Sequence, residues 1–380
     1  MNKILRCALL LVPALLAQPE PQVRCGTTRT SRHSNPAERP LAGAIRWDAW
    51  HGDRGVPGRA VQIALAPEQY QYRLPFFAKV VSDSQVVIDG ASQDVMDQEI
   101  EYAVSAGLDY WAFVTYDEND SMFLGLKLFL SSERKRGMKF SLITEHGRWG
   151  SQENYKSRIT RFAGFLKEES YLKVLNGRPL VYLGFIQDDT LTKNWGGIEG
   201  FRKAVDEFRD MARQNGSGDP YIVIMEPNPV RGATLAKQLG ADAISAYAAQ
   251  GGESAAPYSA LAAYAQRFWD RCRATGSAVV PIVMSGWDRR PRIEYPMPWE
   301  TWQQAGVGLD KYYEPATPWE LAGHLERAML WIEDNPNAAP ARAALIYAWN
   351  ENDEGGWLTP TLCDGAIRLD AVRQVLSKPR

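Results

Sequence analysis

Cysteine and histidine are scarce in this sequence, with 4 residues of each type among 380. The cysteines form no C-x-x-C pair and the histidines form no H-E-x-x-H motif. Protein zinc sites are built from such clustered ligands, so the sequence argues against one. Cys7 lies in the N-terminal apolar segment. The remaining Cys25, Cys272 and Cys363 allow at most one internal disulfide bond.

An excess of charge of either sign is also absent. The 43 Lys and Arg residues stand against 45 Asp and Glu, which gives a formal net charge of -2. Proteins that bind nucleic acids or anionic membranes present a basic surface, so the charge composition does not support such a partner. A hydrophobic content of 45% and a charged content of 23% are typical of a globular protein with a sizeable core.

Long hydrophobic runs are absent except for a short one at the N-terminus. Residues 1–17 have a basic start, an apolar middle and a small-residue end, which predicts a secretory signal peptide rather than a membrane span. Residues 18–41 are rich in Pro, Arg, Ser and Thr, and predict a disordered lead-in. We therefore expect a secreted or periplasmic protein with its folded domain in residues 42–380.

The chain also lacks a glycine-rich phosphate-binding turn and a self-similar repeat. These absences argue against a doubly wound open sheet and against a solenoid, respectively. From Leu41 onward, apolar strand-like runs alternate with helical patterns in eight units, among them a strand at 221–225 and a helix at 258–274. Insertions are predicted at 53–90 and 296–315, and the segment 317–320, TPWE, predicts a capping box at the start of a helix. This count predicts a single-domain (β/α)8 TIM barrel with loop insertions.

Aromatic residues, in contrast, are plentiful, with 13 Trp and 16 Tyr. Many of them stand beside acids or turn residues. Their flat apolar faces and polar edges suit stacking on sugar rings. For any single tryptophan, packing in the core is the alternative explanation.

Acidic residues concentrate in residues 344–357, with the sequence ALIYAWNENDEGGW. The apolar, β-prone run 344–349 predicts the eighth strand, and the double glycine predicts a break after it. Glu351 and Glu354 follow that strand directly. We predict that they form a catalytic acid/base pair.

Other predicted strands also end in acids, amides or aromatic residues. The strands of a (β/α)8 barrel direct their carboxyl ends to one mouth. A single loop acid often only caps a helix or meets solvent, but the recurrence at six strand ends favours a shared binding site. The predicted substrate-binding residues are Trp47, Asp48, Trp50, His51, Tyr116, Asp117, Glu145, His146, Glu226, Asn228, Tyr247, Trp287, Asp288, Arg292, Trp349, Asn350 and Trp357.

Two carboxylates in an aromatic mouth fit the cleavage of a glycosidic bond. One group must protonate the departing oxygen, and a second must act as base or nucleophile. Different surroundings must keep one protonated and the other ionised, and the sequence does not assign these states. Calcium coordination by residues 351–354 is the alternative, although their spacing is not that of an EF-hand. No G-x-S-x-G elbow occurs. We expect neither a metal nor a cofactor.

Two motifs resemble a known family. Residues 348–355, AWNENDEG, resemble the W-N-E-x-x-E-G signature of the WbsX-like proteins and the family 99 glycoside hydrolases. Residues 286–292, GWDRRPR, resemble their G-W-D-x-x-P-R element on the preceding strand. Residues 47–52, WDAWHG, are more loosely similar to their aromatic first strand. The resemblance implies a (β/α)8 barrel that acts on a polysaccharide or glycan.

The characterised hydrolases of that family are endo-acting, retaining α-mannosidases. The resemblance implies that Glu351 acts as a base on the 2-hydroxyl of the sugar, which then forms a 1,2-anhydro sugar. It implies that Glu354 acts as the acid and then as the base toward water. Asn352, Asp353 and the segment 357–360 depart from the family pattern, and this departure bears on the identity of the substrate.

Three functions are open from the sequence. The first is a secreted, monomeric glycoside hydrolase acting on an oligosaccharide or polysaccharide. The second is a glycosyltransferase of surface polysaccharide assembly, which needs a nucleotide-diphosphate site. The basic candidates for that site are Arg289, Arg290 and Arg292, and Arg292 fits the role of an ion-pair partner equally well. The third is a carbohydrate-binding barrel without catalysis, which needs the aromatic loops but not the glutamates.

Overall fold

The structure is a computed structural model and describes residues 39–377. The predicted signal peptide and most of the predicted lead-in, residues 1–38, lie outside the described residues. Within residues 39–377, no helix combines the length and the apolar character that crossing a membrane requires.

Strands and helices alternate along the described chain. The strands are β1 (Leu41–Arg46), β2 (Ala78–Ser82), β3 (Gln85–Ile88), β4 (Tyr110–Val114), β5 (Lys139–Glu145), β6 (Lys173–Val174), β7 (Arg178–Gly184), β8 (Tyr221–Met225), β9 (Ala243–Ser245), β10 (Ala278–Val279), β11 (Ile282–Met284), β12 (Ala343–Tyr347), β13 (Asn350–Glu351) and β14 (Gly356–Trp357). The α-helices are α1 (Val56–Leu65), α2 (Gln93–Ser105), α3 (Leu124–Ser131), α4 (Tyr155–Phe165), α5 (Asp188–Trp195), α6 (Ile198–Gln214), α7 (Pro229–Leu239), α8 (Tyr258–Ala274), α9 (Arg290–Glu294), α10 (Pro318–Asp334) and α11 (Ile367–Leu376).

The parallel strands form one continuous sheet in the order β10-β9-β8-β7-β5-β4-β1-β12-β11. Its two end strands, β10 and β11, are consecutive in the chain and are the two halves of the seventh barrel strand. Between them, Val280 N–H donates to the carbonyl of Ile244 over 3.1 Å, and the carbonyl of Pro281 accepts from Leu345 N–H over 3.0 Å. The split strand therefore joins both neighbours and returns the sheet on itself. The predicted (β/α)8 barrel fold is confirmed.

Aromatic side chains fill part of the barrel interior. The hydroxyl of Tyr110 donates to the carbonyl of Ala344 over 3.0 Å and lies 2.9 Å from the hydroxyl of Tyr182. Gly43 on β1 leaves room for this group, because a Cβ there would collide with the Tyr110 ring. These contacts tie opposite sides of the barrel together through a close-packed core.

Two insertions at the carboxyl ends of the strands shape the mouth of the barrel. The predicted insertion 53–90 contains α1 and an antiparallel hairpin formed by β2 and β3. The predicted insertion 296–315 follows α9, after the seventh barrel strand. Functional sites of such barrels lie at this end.

Candidate active site

The two predicted catalytic glutamates lie on a tight turn directly after the eighth barrel strand. The short strands β13 and β14 pair antiparallel, and a 3₁₀ turn over Asn352–Glu354 joins them. The turn ends at Gly355, whose φ of +82° lies in the left-handed region that favours glycine. A Cβ at Gly355 would also lie only 2.5 Å from the backbone nitrogen of Asp288. The glycine therefore allows the acidic turn to pack against the loop that follows the seventh strand.

That loop carries residues 286–292, the second motif of the resemblance. The backbone N–H of Asp288 donates to the carbonyl of Glu354 over 2.6 Å. Pro291 lies in the first turn of α9, where its missing N–H breaks no helical hydrogen bond. This helix directs Arg292 toward the acidic turn. The two motifs therefore form one continuous structure.

Arg292 is buried and binds three carboxylates of the turn. Its Nη1 donates to Glu354 over 2.6 Å, its Nε to Asp353 over 2.7 Å, and its Nη2 to Glu351 over 3.2 Å. The guanidinium carbon also lies 4.9 Å from the ring centre of Trp47. Because neighbouring nitrogens of one planar group hold both glutamates, Arg292 fixes the directions of the two side chains together.

A second arginine links the turn to the insertion 296–315. Arg289 Nε donates to Glu354 over 3.0 Å, and its Nη2 donates to Glu300 over 2.5 Å. Glu300 lies within the insertion and also accepts from Arg292 Nη1 over 3.4 Å. The insertion is therefore attached to the acidic turn through both arginines.

Each glutamate also accepts a hydrogen bond from a tyrosine. The hydroxyl of Tyr247 donates to Oε1 of Glu351 over 2.6 Å, and the hydroxyl of Tyr347 donates to Oε2 of Glu354. The two tyrosine rings pack edge to face, with centres 5.7 Å apart. Each carboxyl therefore has one oxygen on a tyrosine and the other on Arg292.

These surroundings drive the protonation states of the pair apart. Burial raises the pKa of Glu351 well above its usual range, and the negative charge of Glu354 raises it further. Burial also raises the pKa of Glu354, but the charges of Arg292 and Arg289 outweigh this effect and leave that pKa below its usual value. Glu351 therefore keeps its proton to a higher pH than Glu354. A proton donor beside a carboxylate is an arrangement for acid/base chemistry.

The pair opens into a cavity of about 880 Å³ at the carboxyl ends of the barrel strands. This volume lies in the range of pockets that enclose small organic ligands. The aromatic side chains in its wall are Trp47, Tyr116, Phe185, Tyr247, Trp287, Trp299 and Trp302. The cavity therefore offers flat apolar faces next to charged groups.

Part of the predicted site lines this cavity. The predicted residues that line the cavity come from the ends of seven of the eight barrel strands. The fourth strand contributes Phe185 and Ile186, which were not predicted. Burial raises the pKa of Glu145 despite the nearby Arg148. Glu226 accepts from Arg231. The predicted residues in the cavity wall are Trp47, Tyr116, Glu145, Glu226, Tyr247, Trp287, Arg292, Glu351 and Glu354.

Other predicted site residues are buried beneath the mouth and do not line the cavity. Arg46 donates to Asp48 over 2.8 Å and to Glu99 over 2.7 Å. The indole of Trp349 donates to Glu99 over 2.8 Å. Trp357 is only 3% exposed. For Asp48, Trp349 and Trp357, internal contacts replace the expected contact with substrate.

Trp50, His51 and Asn350 are likewise buried and do not line the cavity. The indole of Trp50 donates to the carbonyl of Trp47 over 3.0 Å, and Oδ1 of Asn350 accepts from the Trp47 N–H over 2.9 Å. These two residues support the cavity wall through Trp47. Burial lowers the pKa of His51 to about 4, so its imidazole is neutral near pH 7. It lies in the protein interior, away from the cavity.

Two further predicted residues have the roles that loop acids and amides most often have. Asp117 forms an ion pair with Arg158 over 3.2 Å, and its side chain is 54% exposed. Oδ1 of Asn228 accepts from the N–H of Val230 over 3.0 Å and so caps α7. Neither contributes to the cavity wall.

His146 and Asp288 have internal partners as well. The ring of His146 is buried with its centre 4.5 Å from that of Phe201. Asp288 accepts from Arg290 Nε over 2.9 Å and from the buried Arg73. Asp288 therefore positions the second motif rather than contacting the cavity.

Several residues of the cavity wall were not predicted. They include Arg148, Phe185, Trp299, Glu300 and Trp302, and also Arg289, which the sequence indicated only for a nucleotide-diphosphate site. Trp299 and Trp302 had a signal, because they stand in an insertion that is rich in proline and tryptophan and follows a barrel strand. No feature of the sequence indicated Glu300, because it lies between two arginines only in the folded chain.

The charged residues raised two alternatives, a calcium site in the acidic turn and a nucleotide-diphosphate site at the arginines, and the structure bears on both. Within residues 39–377, no group of three or more His, Cys, Asp or Glu side chains could hold a metal ion. Arg292 supplies the cation of the acidic turn. Arg289, Arg290 and Arg292 each bind carboxylates, so none of the three is left to hold a diphosphate.

No family model matches the sequence, and no curated protein sequence matches it. Among solved structures, the chain is similar to the GH99 endo-alpha-mannosidase from Bacteroides thetaiotaomicron, with 13% identity, a TM-score of 0.54, and coverage of 90% of this chain and 97% of that chain. A structure of that enzyme in complex with bis-tris propane gives 14% identity, a TM-score of 0.55, and coverage of 90% and 98%. At this identity, the likeness establishes that this chain shares the (β/α)8 fold of a glycoside hydrolase.

Proposed function

We propose that this chain is a glycoside hydrolase that cleaves a glycosidic bond in a polysaccharide or glycan with Glu351 and Glu354. The observation that carries the proposal is the pair itself: two buried carboxyl groups on one turn face one cavity, and their pKa values are shifted in opposite directions. Glycosidic cleavage needs a group that protonates the departing oxygen and a second group that acts as base or nucleophile.

The electrostatics favour Glu351 as the proton donor. It keeps its proton to the higher pH, because burial and the charge of Glu354 both disfavour ionisation. Glu354 is ionised and is held by Arg292, Arg289 and Tyr347. From that position it can stabilise positive charge at the anomeric carbon or accept a proton from the attacking hydroxyl.

This assignment is opposite to the one that the family resemblance implies, in which Glu351 is the base and Glu354 the acid. A retaining route through the 2-hydroxyl of the sugar requires one ionised and one protonated group, so either assignment is compatible with it. That route and the WbsX-like relationship stay predictions from the two sequence motifs.

The walls of the cavity support a sugar as the ligand. Trp47 and Trp287 present aromatic faces beside the charged groups that can bind hydroxyls. One of the fold neighbours is an endo-alpha-mannosidase, so α-linked mannose is the first sugar to test. The departures from the family pattern at Asn352 and Asp353 make other α-linked glycans the next sugars to test.

The other functions receive less support. A glycosyltransferase would need cationic groups for a diphosphate, and the arginines of the site bind carboxylates instead. A barrel that only binds carbohydrate would not need two buried carboxyl groups, which are costly to place in the interior.

The direct test is the release of reducing ends by the purified chain from α-mannans, α-glucans and other glycans. We expect at least one α-linked glycan to be cleaved. Retained binding with no release from any of them would overturn the proposal in favour of the binding barrel.

The roles of the two glutamates can be separated with an aryl glycoside, whose leaving group departs without protonation. If Glu351 is the acid, Glu351→Gln will keep much more activity on the aryl glycoside than on the polysaccharide, and Glu354→Gln will lose activity on both. The reverse pattern would establish the assignment that the resemblance implies. Secretion and a monomeric state also remain proposals, to be tested by localisation and by the mass in solution.

A further inference from the structure

The insertion 296–315 places two exposed tryptophans at the edge of the cavity. Trp302 is 66% exposed and Trp299 is 41% exposed, and both contribute to the cavity wall. A single exposed aromatic residue is common on protein surfaces. Two of them facing the cavity that contains Glu351 and Glu354 form an apolar surface in contact with water, which a ligand could cover.

Both indoles are held in defined orientations. The guanidinium of Arg289 lies 5.1 Å from the ring centre of Trp302, and Arg289 is itself bound by Glu354 and Glu300. A cation on one face of an indole leaves the other face open. The ring of Trp299 lies 6.0 Å from that of Trp47. The surface is therefore preorganised, which lowers the entropic cost of binding a ligand.

We propose that Trp302, supported by Trp299, forms an outer subsite for a sugar ring of the same chain whose bond is cleaved at Glu351 and Glu354. A pyranose ring has an apolar C–H face that fits the open face of an indole, while hydroxyls at its edge stay in contact with water. The inference rests on the proposed function and adds that the enzyme selects for chain length. A substrate that extends beyond the inner cavity gains this contact, and a shorter one does not.

The chain offers a matched control. Trp319 lies at the start of α10 and is 65% exposed, close to the exposure of Trp302, but it is not part of the cavity wall. Replacing either side chain removes a similar exposed surface. General effects on solubility or folding should therefore be equal in the two variants.

The experiment compares Trp302→Ala, Trp302→Phe and Trp319→Ala in the full chain by affinity electrophoresis in gels that contain α-mannan, β-glucan or xylan. We expect the wild type to be retarded by at least one of them. Trp302→Ala should weaken that binding about tenfold, the effect of losing one stacked aromatic contact. Trp302→Phe should keep part of the affinity, and Trp319→Ala should match the wild type.

The outcomes separate this subsite from the proposed function. Equal binding by Trp302→Ala and Trp319→Ala, or a wild type that binds none of the three polysaccharides, would overturn the subsite. Retardation that depends on Trp302, without any release of reducing ends, would support the subsite while the hydrolase proposal fails. If oligosaccharides of the bound glycan are cleaved, Trp302→Ala should lower kcat/KM more for long chains than for the shortest one. An equal loss at every length would contradict the subsite.

Discussion

The barrel carries a charge network at each of its two ends, and the two networks differ in their balance. The amino-terminal network consists of Arg178, Arg209, Arg213, Asp210, Asp219 and Asp242. The carboxyl-terminal network consists of Arg289, Arg292, Glu300, Glu351, Asp353 and Glu354. The first has as many arginines as acids, whereas the second has two arginines for four acids.

This difference in charge balance separates a network that stabilises the fold from the network that we propose for catalysis. In the amino-terminal network, Asp242 accepts from Arg178 and from Arg209, each over 2.7 Å, and every acid has an arginine partner. In the carboxyl-terminal network, two cations cannot compensate four ionised acids in a buried site. The excess of negative charge, together with burial, favours a proton on Glu351. An acid/base pair therefore arises from imbalance as much as from the presence of carboxylates.

The largest expected effect is the loss of turnover in Glu354→Gln. The substitution keeps the shape of the side chain but removes the ionised carboxylate, so we expect the rate of hydrolysis to fall about a thousandfold or more. The measurement is the initial rate on the glycan that the wild type cleaves best. Residual activity near the wild-type level would mean that the carboxyl-terminal network is structural, like the amino-terminal one.

Asp242→Asn makes the same change, from a carboxylate to its amide, at the other end of the barrel. It removes one of the two carboxylates that Arg178 and Arg209 share, and leaves that of Asp219. We therefore expect a loss of about 1–3 kcal/mol in the free energy of unfolding. Urea titration followed by circular dichroism measures this loss. The rate per folded molecule should equal that of the wild type. A fall in that rate without a loss of stability would contradict the division of roles between the two ends.

The sequence predicted the barrel well because its strands are short apolar runs separated by clear breaks. The bounds of β8 and α8 match the predicted ones, and the capping box at Thr317 that starts α10 is present. The hairpin of β2 and β3 was not recognised, because its exposed valines Val80 and Val81 lie in a stretch taken as an irregular insertion. The short helices α5 and α9 were missed for a related reason, since they interrupt loops and lack a long apolar repeat.

The candidate site was predicted less completely than the fold. The ends of strands can be predicted from the sequence. For Glu351, Tyr247 and Trp287, this was enough to predict that they line one cavity. Whether a side chain at a strand end points into the mouth or beneath it depends on packing, and sequence does not reveal this. Asp48 was assigned to the mouth, but it binds Arg46 in the interior.

A smaller effect is expected in the stability of the glutamate variants as the pH changes. The pKa of Glu351 is raised in the folded chain, so its contribution to stability is present in acid and is lost as the pH rises through that pKa. Each unit of the shift corresponds to about 1.4 kcal/mol. Glu351→Gln should therefore gain Tm relative to the wild type as the pH rises.

Glu354→Gln should show the opposite trend. The pKa of Glu354 is lowered on folding, so its stabilising contribution is present at neutral pH and is lost as the pH falls through that pKa. The variant should be less stable than the wild type near neutral pH and should approach it in acid. Thermal unfolding of both variants at several pH values tests the two trends, and parallel curves would contradict the charge states assigned to the pair.

The smallest expected effect is a shift of the pH profile in Glu300→Gln. Glu300 is buried between Arg289 and Arg292 and faces the acids Glu354 and Asp353. Removing its negative charge leaves the arginines less compensated, which favours ionisation of Glu351 and lowers the pKa of that group. The limb of the kcat/KM profile that reports Glu351 should move to lower pH by up to about one unit.

Glu314→Gln provides the control, because Glu314 is an exposed acid at the end of the same insertion. It changes the net charge equally but lies at the protein surface, where solvent and salt screen its charge. Its pH profile should coincide with that of the wild type. A fall in kcat for Glu300→Gln without movement of either limb would mean that Glu300 only supports the loop. In that case the excess of acids in the carboxyl-terminal network would not set the protonation of the pair, and burial alone would account for the raised pKa of Glu351.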